Sequence, residues 1–125
     1  MSHISTIEVA IQDLDTLQRA CLELDLEFAR GVQRFKHYTG YGACDHVIRV
    51  PGAEYEIGVV RSDDAYTLQW DDWHLGGLEQ RLGKGAGRLK QAYAAERVRT
   101  EARRKGMRVR MRRNESTVQL VLSAQ

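Results

Sequence analysis

Ser5-Thr6-Ile7-Glu8-Val9-Ala10-Ile11-Gln12-Asp13-Leu14-Asp15-Thr16-Leu17-Gln18-Arg19-Ala20-Cys21-Leu22-Glu23-Leu24 is the stretch that decides the fold class. Its first seven residues alternate, with Ile7, Val9 and Ile11 on one side and Thr6, Glu8 and Ala10 on the other, the period of a half-buried strand. Asp13 then stands where a helix N-cap belongs, and Leu14, Leu17, Ala20, Cys21 and Leu24 follow at helical spacing. The pattern predicts a strand followed by a helix from about Leu14 to Leu24, with Cys21 in the core.

The same change of period runs in reverse near the other end. Leu89, Ala92, Ala95, Val98 and Ala102 predict a buried stripe on a helix from Arg88 to Lys105, with Gly106 as its C-terminal cap. Met107, Val109 and Met111 then alternate with Arg108, Arg110 and Arg112, and a turn at 113–116 leads to a partner strand whose inward side is Val118, Leu120 and Leu122. Between the two ends, Leu26 and Phe28 begin a strand that breaks at Gly31; 31–42 either resumes as a strand through Val32, Arg34 and Lys36 or is irregular, given its glycines and tyrosines. His46 to Val50, Tyr55 to Val60 and Ala65 to Trp70 read as a meander with turns at Pro51-Gly52 and Ser62-Asp63-Asp64. The expected fold is therefore α+β: two main helices on the inner face of one largely antiparallel sheet, with a weak two-fold echo of strand-helix-strand-strand.

A length of 125 residues suits one domain spanning 1–125, and the single proline with 42% hydrophobic residues excludes a disordered or collagen-like chain. No apolar run approaches the roughly 18 residues of a membrane span, and no basic stretch precedes an apolar one at the amino terminus. A cytoplasmic protein without a membrane role is expected. Cys21 and Cys44 sit in unlike contexts with no CxxC, which argues against both a disulfide framework and a zinc finger.

The net charge of +2 conceals a split. Residues 1–75 hold 6 Lys/Arg against 13 Asp/Glu, a net of −7, whereas 76–125 hold 13 against 4, a net of +9. Either the halves neutralise one another or the basic half offers its field to an acidic partner. Arg108, Arg110, Arg112 and Arg113, reinforced by Arg103, Arg104 and Lys105, form the strongest cationic candidate. Alternation spaces the first three about 7 Å apart on one strand face, near the phosphate spacing of a nucleic-acid strand, and that face is expected to turn to water. No aromatic residue interleaves these arginines as a base-stacking platform.

Other candidates are weaker. Gly83-Lys84-Gly85-Ala86-Gly87 fails the phosphate-loop pattern, since no Gly-Lys-Ser/Thr follows and no strand leads in. Asp71, Asp72 and His74, and Cys44-Asp45-His46, contain ligand types without metal spacing, so neither a metal nor a catalytic set is assigned. Trp70, Trp73 and Tyr66 form the densest aromatic cluster, flanked by Asp63, Asp64, Asp71 and Asp72; such tryptophans usually close a core edge, whereas an exposed Trp73 would make an aromatic and acidic partner site.

Several segments carry a family likeness: Met1-Ser2-His3-Ile4-Ser5-Thr6-Ile7, Asp13-Leu14-Asp15 with Leu17, Tyr55-Glu56-Ile57-Gly58, Tyr66 with Leu68 ahead of Trp70 and Trp73, the Tyr93 helix, and Gly106 with the closing hairpin. Together they resemble the hypothetical chloroplast reading frame thirty-five family, also called domain of unknown function 1257. The Gly83 to Gly87 loop departs from the family pattern in its Gly and Arg content, as in a divergent bacterial member. The resemblance implies a small stand-alone protein of cyanobacteria, plastids and other bacteria, and it carries over no catalytic residue. Relatives encoded near an AAA-type ATPase imply an accessory role beside such an enzyme.

The expected function is a non-catalytic interaction module without cofactors, an adaptor of a larger ATP-dependent assembly, with Trp73, Asp71, Asp72, Arg108, Arg110 and Arg112 as partner-binding residues. The alternative is nucleic-acid binding through Arg103, Arg104, Lys105, Arg108, Arg110, Arg112 and Arg113. An enzyme or metal protein built on Cys44, Asp45, His46, Asp72 and His74 is the third reading.

Overall fold

A computed structural model describes residues 4–113 and 118–124, with side chains through residue 107. Strand β1 (Ile4–Ile11) and helix α1 (Leu14–Glu23) form where the change of period places them. Asp13 caps α1: its carboxylate accepts from the Asp15 N–H at 2.9 Å and from the Thr16 hydroxyl at 2.8 Å. That second bond, ahead of the helix-terminal amides, holds the Asp13 carboxyl below its ordinary pKa. Strands β2 (Glu27–Arg30), β5 (His46–Arg49), β6 (Glu56–Ser62) and β7 (Ala65–Asp71) join β1 in a five-stranded sheet of order β1-β7-β6-β5-β2. Every pairing in it is antiparallel. Asp63 adopts a left-handed φ of 54° in the β6–β7 turn, a conformation that Asp tolerates.

One face of this sheet carries the main core. Ile7, Ile57, Val59, Leu68 and Trp70 pack there against Leu17, Ala20 and Cys21 of α1, with Leu78 and Leu82 of α2 (Leu78–Leu82) and Leu89 and Tyr93 of α3 (Gly87–Arg104). Helices α1 and α3 pack against each other and run in the same sense. The Gln12 N–H donates to the Tyr93 hydroxyl at 3.0 Å, and further along Arg19 meets Glu96 and Thr100. The expected α3 stripe is partly corrected: Tyr93 and Glu96 are buried along with Leu89, Ala95 and Ala102, while Ala92 and Val98 are half-buried. The Glu96 carboxylate tolerates burial because arginines supply its hydrogen bond and counter-charge.

Two further corrections concern strands. The stretch read as irregular or as one resumed strand contains a whole hairpin, β3 (Arg34–His37) and β4 (Gly40–Ala43), which pairs with itself. It folds over the opposite face of the main sheet, where Phe35, Cys44 and Val47 form a second, smaller core. Glycine makes this possible. A Cβ at Gly58 of β6 would lie 2.7 Å from Phe35 Cε1, and one at Gly42 would lie 2.6 Å from the same atom, so the ring lies directly on two bare backbones. Secondly, among the described residues β8 (Met107–Arg113) and β9 (Val118–Ala124) pair with each other and do not extend the five-stranded sheet. The single sheet shared by both halves is thus replaced by a central sheet, a flap and a C-terminal hairpin. The expected turn at 113–116 falls mostly outside the described residues, as does Met1-Ser2-His3.

Candidate functional site

Strand β7 ends at Asp71, which sits beside Ile4 of β1 in the register. Its side chain is 0% exposed and is used internally. One carboxylate oxygen accepts from the Tyr38 N–H at the flap tip at 2.9 Å, and the other from the Trp73 N–H at 3.0 Å. Asp71 is therefore not a surface partner residue as expected: burying it ties the flap to the segment that follows β7. Asp72 is exposed, so the acidic flank expected around Trp73 is reduced to Asp72.

Trp73 is half-buried against the main core. Its ring lies 6.0 Å from that of Tyr38 and 5.1 Å from that of His74. The next turn, a single 3-10 turn at His74–Gly76, is fixed from its far side. The Gly76 carbonyl accepts from the Glu54 N–H at 2.8 Å, and a Cβ on Gly76 would come 2.7 Å from Tyr55 Cγ. Burial, assisted by the negative charge of Asp71, raises the Tyr55 hydroxyl above its ordinary pKa. Around this anchored ground stand three exposed apolar side chains: Ile4 at 41%, Tyr38 at 54% and Leu75 at 67%. Sequence reading missed these three. A signal was present: 28–44 contain no Asp or Glu within an otherwise acidic half, yet hold Tyr38 and Tyr41.

The reactive candidates do not converge. Cys44 joins the small core beneath the flap, where its thiol donates to the Val32 carbonyl at 3.4 Å and burial pushes its pKa up to about 11. Asp45 accepts from the Arg61 N–H at 2.8 Å. His46 takes the opposite side of the strand, with Phe28 and Tyr66, and its Nδ1 accepts from the Gly31 N–H at 3.0 Å. Burial lowers the His46 pKa. Among the described residues no group of three His, Cys, Asp or Glu side chains could hold a metal ion. His74 and Asp72 remain at the aromatic end, away from this trio in the chain.

Of the basic candidates, Arg103, Arg104 and Lys105 are exposed at the end of α3. Arg108, Arg110, Arg112 and Arg113 lie on β8, opposite Ser123, Val121, Gln119 and Val118 in the backbone register; their side chains lie outside the described residues. Several carboxylates of the acidic half are paired inside it: Asp15 with Arg30, Glu27 and Glu56 with Arg49, Glu54 with Lys36. Arg49 is held above its usual pKa by hydrogen bonds to Glu27 and Glu56.

With the architecture in place, comparison with protein families is decisive on kinship. A family described as a protein of unknown function, DUF1257, matches residues 20–122. The chain belongs to that family. Its matched span runs from α1 to β9 and so includes the DUF1257 flap, the Asp71 anchor and the aromatic end. No curated protein and no solved structure matches this DUF1257 chain. No helix among its described residues is long and apolar enough to cross a membrane.

Proposed function

We propose that this DUF1257 protein is a non-catalytic interaction module that docks a protein partner at its aromatic end. The observation that carries this reading is the buried Asp71 carboxylate, which fixes Tyr38 and Trp73 relative to each other through two backbone hydrogen bonds. Where the backbone is already fixed, binding orders the exposed side chains but costs little further backbone entropy. Aromatic residues, here the half-buried Trp73 and the exposed Tyr38, are enriched at interface centres.

The partner to test first is an AAA-type ATPase, with this chain as its accessory subunit or adaptor. Tagged protein, and its Tyr38→Ala and Leu75→Glu variants, would be used to recover partners at physiological salt, with and without ATP. The expected result is one partner, enriched by the parent protein and lost with both variants. Recovery unaffected by either substitution would refute docking at this end, and turnover of a small molecule by the pure protein would refute the non-catalytic reading.

A second reading, nucleic-acid binding, draws support from the exposure of Arg103, Arg104 and Lys105 next to the arginine-rich β8. Phosphate contacts require affinity to fall steeply with salt. A gel shift absent at about 50 mM salt would dismiss it, and replacing Arg108, Arg110 and Arg112 with Ala should flatten the salt slope by about one unit per contact.

A further inference from the structure

The chain enters the flap through residues 31–33, a short root between β2 and β3 that is held by Cys44 and His46. The Gly31 N–H donates to His46 Nδ1 at 3.0 Å, the Cys44 thiol to the Val32 carbonyl at 3.4 Å and the Cys44 N–H to the Gln33 carbonyl at 3.0 Å. Gly31 itself turns the chain at a left-handed φ of 79°. His46 lies opposite Arg30 in the β2–β5 register, and its ring meets those of Phe28 and Tyr66, each 5.8 Å away. A backbone N–H can only donate, so Nδ1 must accept and the neutral ring carries its proton on Nε2. The lone pair that holds Gly31 is therefore the one that a second proton takes.

We propose that His46 is a pH-sensitive latch on the flap root: a proton on Nδ1 turns the acceptor into a donor, breaks the bond to Gly31 and loosens Val32 over the small core, while the flap tip stays anchored. The tip is held separately, by Asp71 at the Tyr38 N–H and by Glu56 at the Lys36 N–H. Burial keeps the ring neutral to a lower pH than an ordinary histidine; the Asp45 carboxylate opposes this, and the Arg30 guanidinium reinforces it. Asp45 accepts from the Arg61 N–H on β6, and Arg30 pairs with Asp15 of α1. On β7, Tyr66 meets the ring, with Arg61 opposite it in the register. A closed latch needs the neutral imidazole, so closure weakens as pH falls through the folded pKa, and opening lets the ring take up a proton. The latch lies at the root and the aromatic end at the tip, so the inference stands apart from the docking reading.

An NMR titration of the isotope-labelled full chain from about pH 7.5 to about pH 4.5, across the imidazole range, tests this. The His46 ring, the Gly31 amide and the Val32 methyl resonances should move on one curve, with a midpoint below the ordinary histidine value of 6.5. Over that step the Gly31 N–H should lose about tenfold in exchange protection, after correction for the intrinsic rate, as one hydrogen bond is given up. The Tyr38 N–H should keep its protection. His37, the flap's other imidazole, accepts from the Thr39 N–H at 3.3 Å near the tip, and its own resonances follow it separately. His46→Gln should remove the step from Gly31 and Val32 and leave the His37 curve in place. Titration of His46 with Gly31 unmoved, a ring that stays neutral until acid unfolds the chain, or a Gly31 step that survives His46→Gln would each overturn the latch. Loss of Tyr38 protection on the His46 curve would overturn it too, because the flap would then lift as one body.

Discussion

Gly58→Ala tests how the flap is held, and its sign separates two lines of reasoning. Gly58 lies inside β6 without a left-handed φ, and in such a position alanine usually stabilises by about 0.5–1 kcal/mol through reduced unfolded-state freedom. The structure predicts the opposite. The new methyl would lie 2.7 Å from Phe35 Cε1, and closer to Cδ1, where carbon atoms prefer separations of about 3.5–4.0 Å. Phe35 is buried and meets Gly42 on the flap itself, so its ring has no free direction in which to retreat. Overpacking of this kind costs about 1–3 kcal/mol.

A double-mutant cycle makes the argument quantitative. Phe35→Ala alone should cost about 3–5 kcal/mol, as for other buried aromatic truncations. The combination of Gly58→Ala with Phe35→Ala should cost less than the sum by about 1–3 kcal/mol, since the methyl then enters space the ring has vacated. Urea unfolding supplies the free energies. Hydrogen exchange at the Tyr38 N–H, bonded to Asp71, and the Lys36 N–H, bonded to Glu56 at 2.9 Å, reports whether the flap lifts. Additivity of the two substitutions within about 0.5 kcal/mol, or a stabilised Gly58→Ala, would refute the packing account.

Other outcomes follow from single groups. Asp71→Asn keeps the shape but turns an N–H₂ toward one of two backbone donors, so it should cost about 1–3 kcal/mol and abolish exchange protection at Tyr38; unchanged stability would contradict the anchor. With Cys44 at about 11, only about a thousandth of it is thiolate at pH 8, so a thiol reagent should label it slowly in the folded protein and rapidly in denaturant, and Cys21, pushed up to about 12, more slowly still. His46 has a folded pKa below its unfolded value near 6.5, so it contributes stability above that value that is lost as pH falls through the folded pKa; His46→Gln should flatten the stability profile below pH 6.5. Asp13→Ala should cost about 1 kcal/mol, a loss that disappears at pH below 3.8 as the capping carboxylate of the parent protein protonates.

The sequence made the elements legible wherever burial follows a simple period. Strand β1, helix α1 with its Asp13 cap, the meander β5–β6–β7 and the C-terminal hairpin all stand where alternation or helical spacing put them. The flap was only half legible, as a strand resuming through Val32, Arg34 and Lys36, because its inward surface is a phenylalanine set against glycines, and a glycine shows no hydrophobic period even when its backbone is the thing being covered. Sheet membership escaped for a related reason: alternation tells that residues 107–113 are extended and is silent on which strand they pair with. At the aromatic end, Trp73 was legible as a candidate. Asp71 was misassigned because Asp71-Asp72 reads as a solvated pair; that the first carboxylate turns inward to two backbone amides depends on Tyr38, 33 residues earlier.

That inward carboxylate also bears on why the site looks as it does. Burying Asp71 requires stripping water from a charged group, a penalty that its hydrogen bonds to backbone amides offset in part and that an apolar residue would not incur. A leucine or valine at the end of β7 would incur no such penalty but would leave the Tyr38 and Trp73 N–H groups without their acceptor. It would not link the flap tip to the chain entering the 3-10 turn, because an apolar side chain has no acceptor for the Tyr38 and Trp73 N–H groups. The carboxylate therefore holds one tyrosine beside one tryptophan. Fixed placement matters to a surface that must present a shape to something else, and the side chains at this end, Tyr38 and Trp73 with Leu75 and Ile4, are apolar or aromatic.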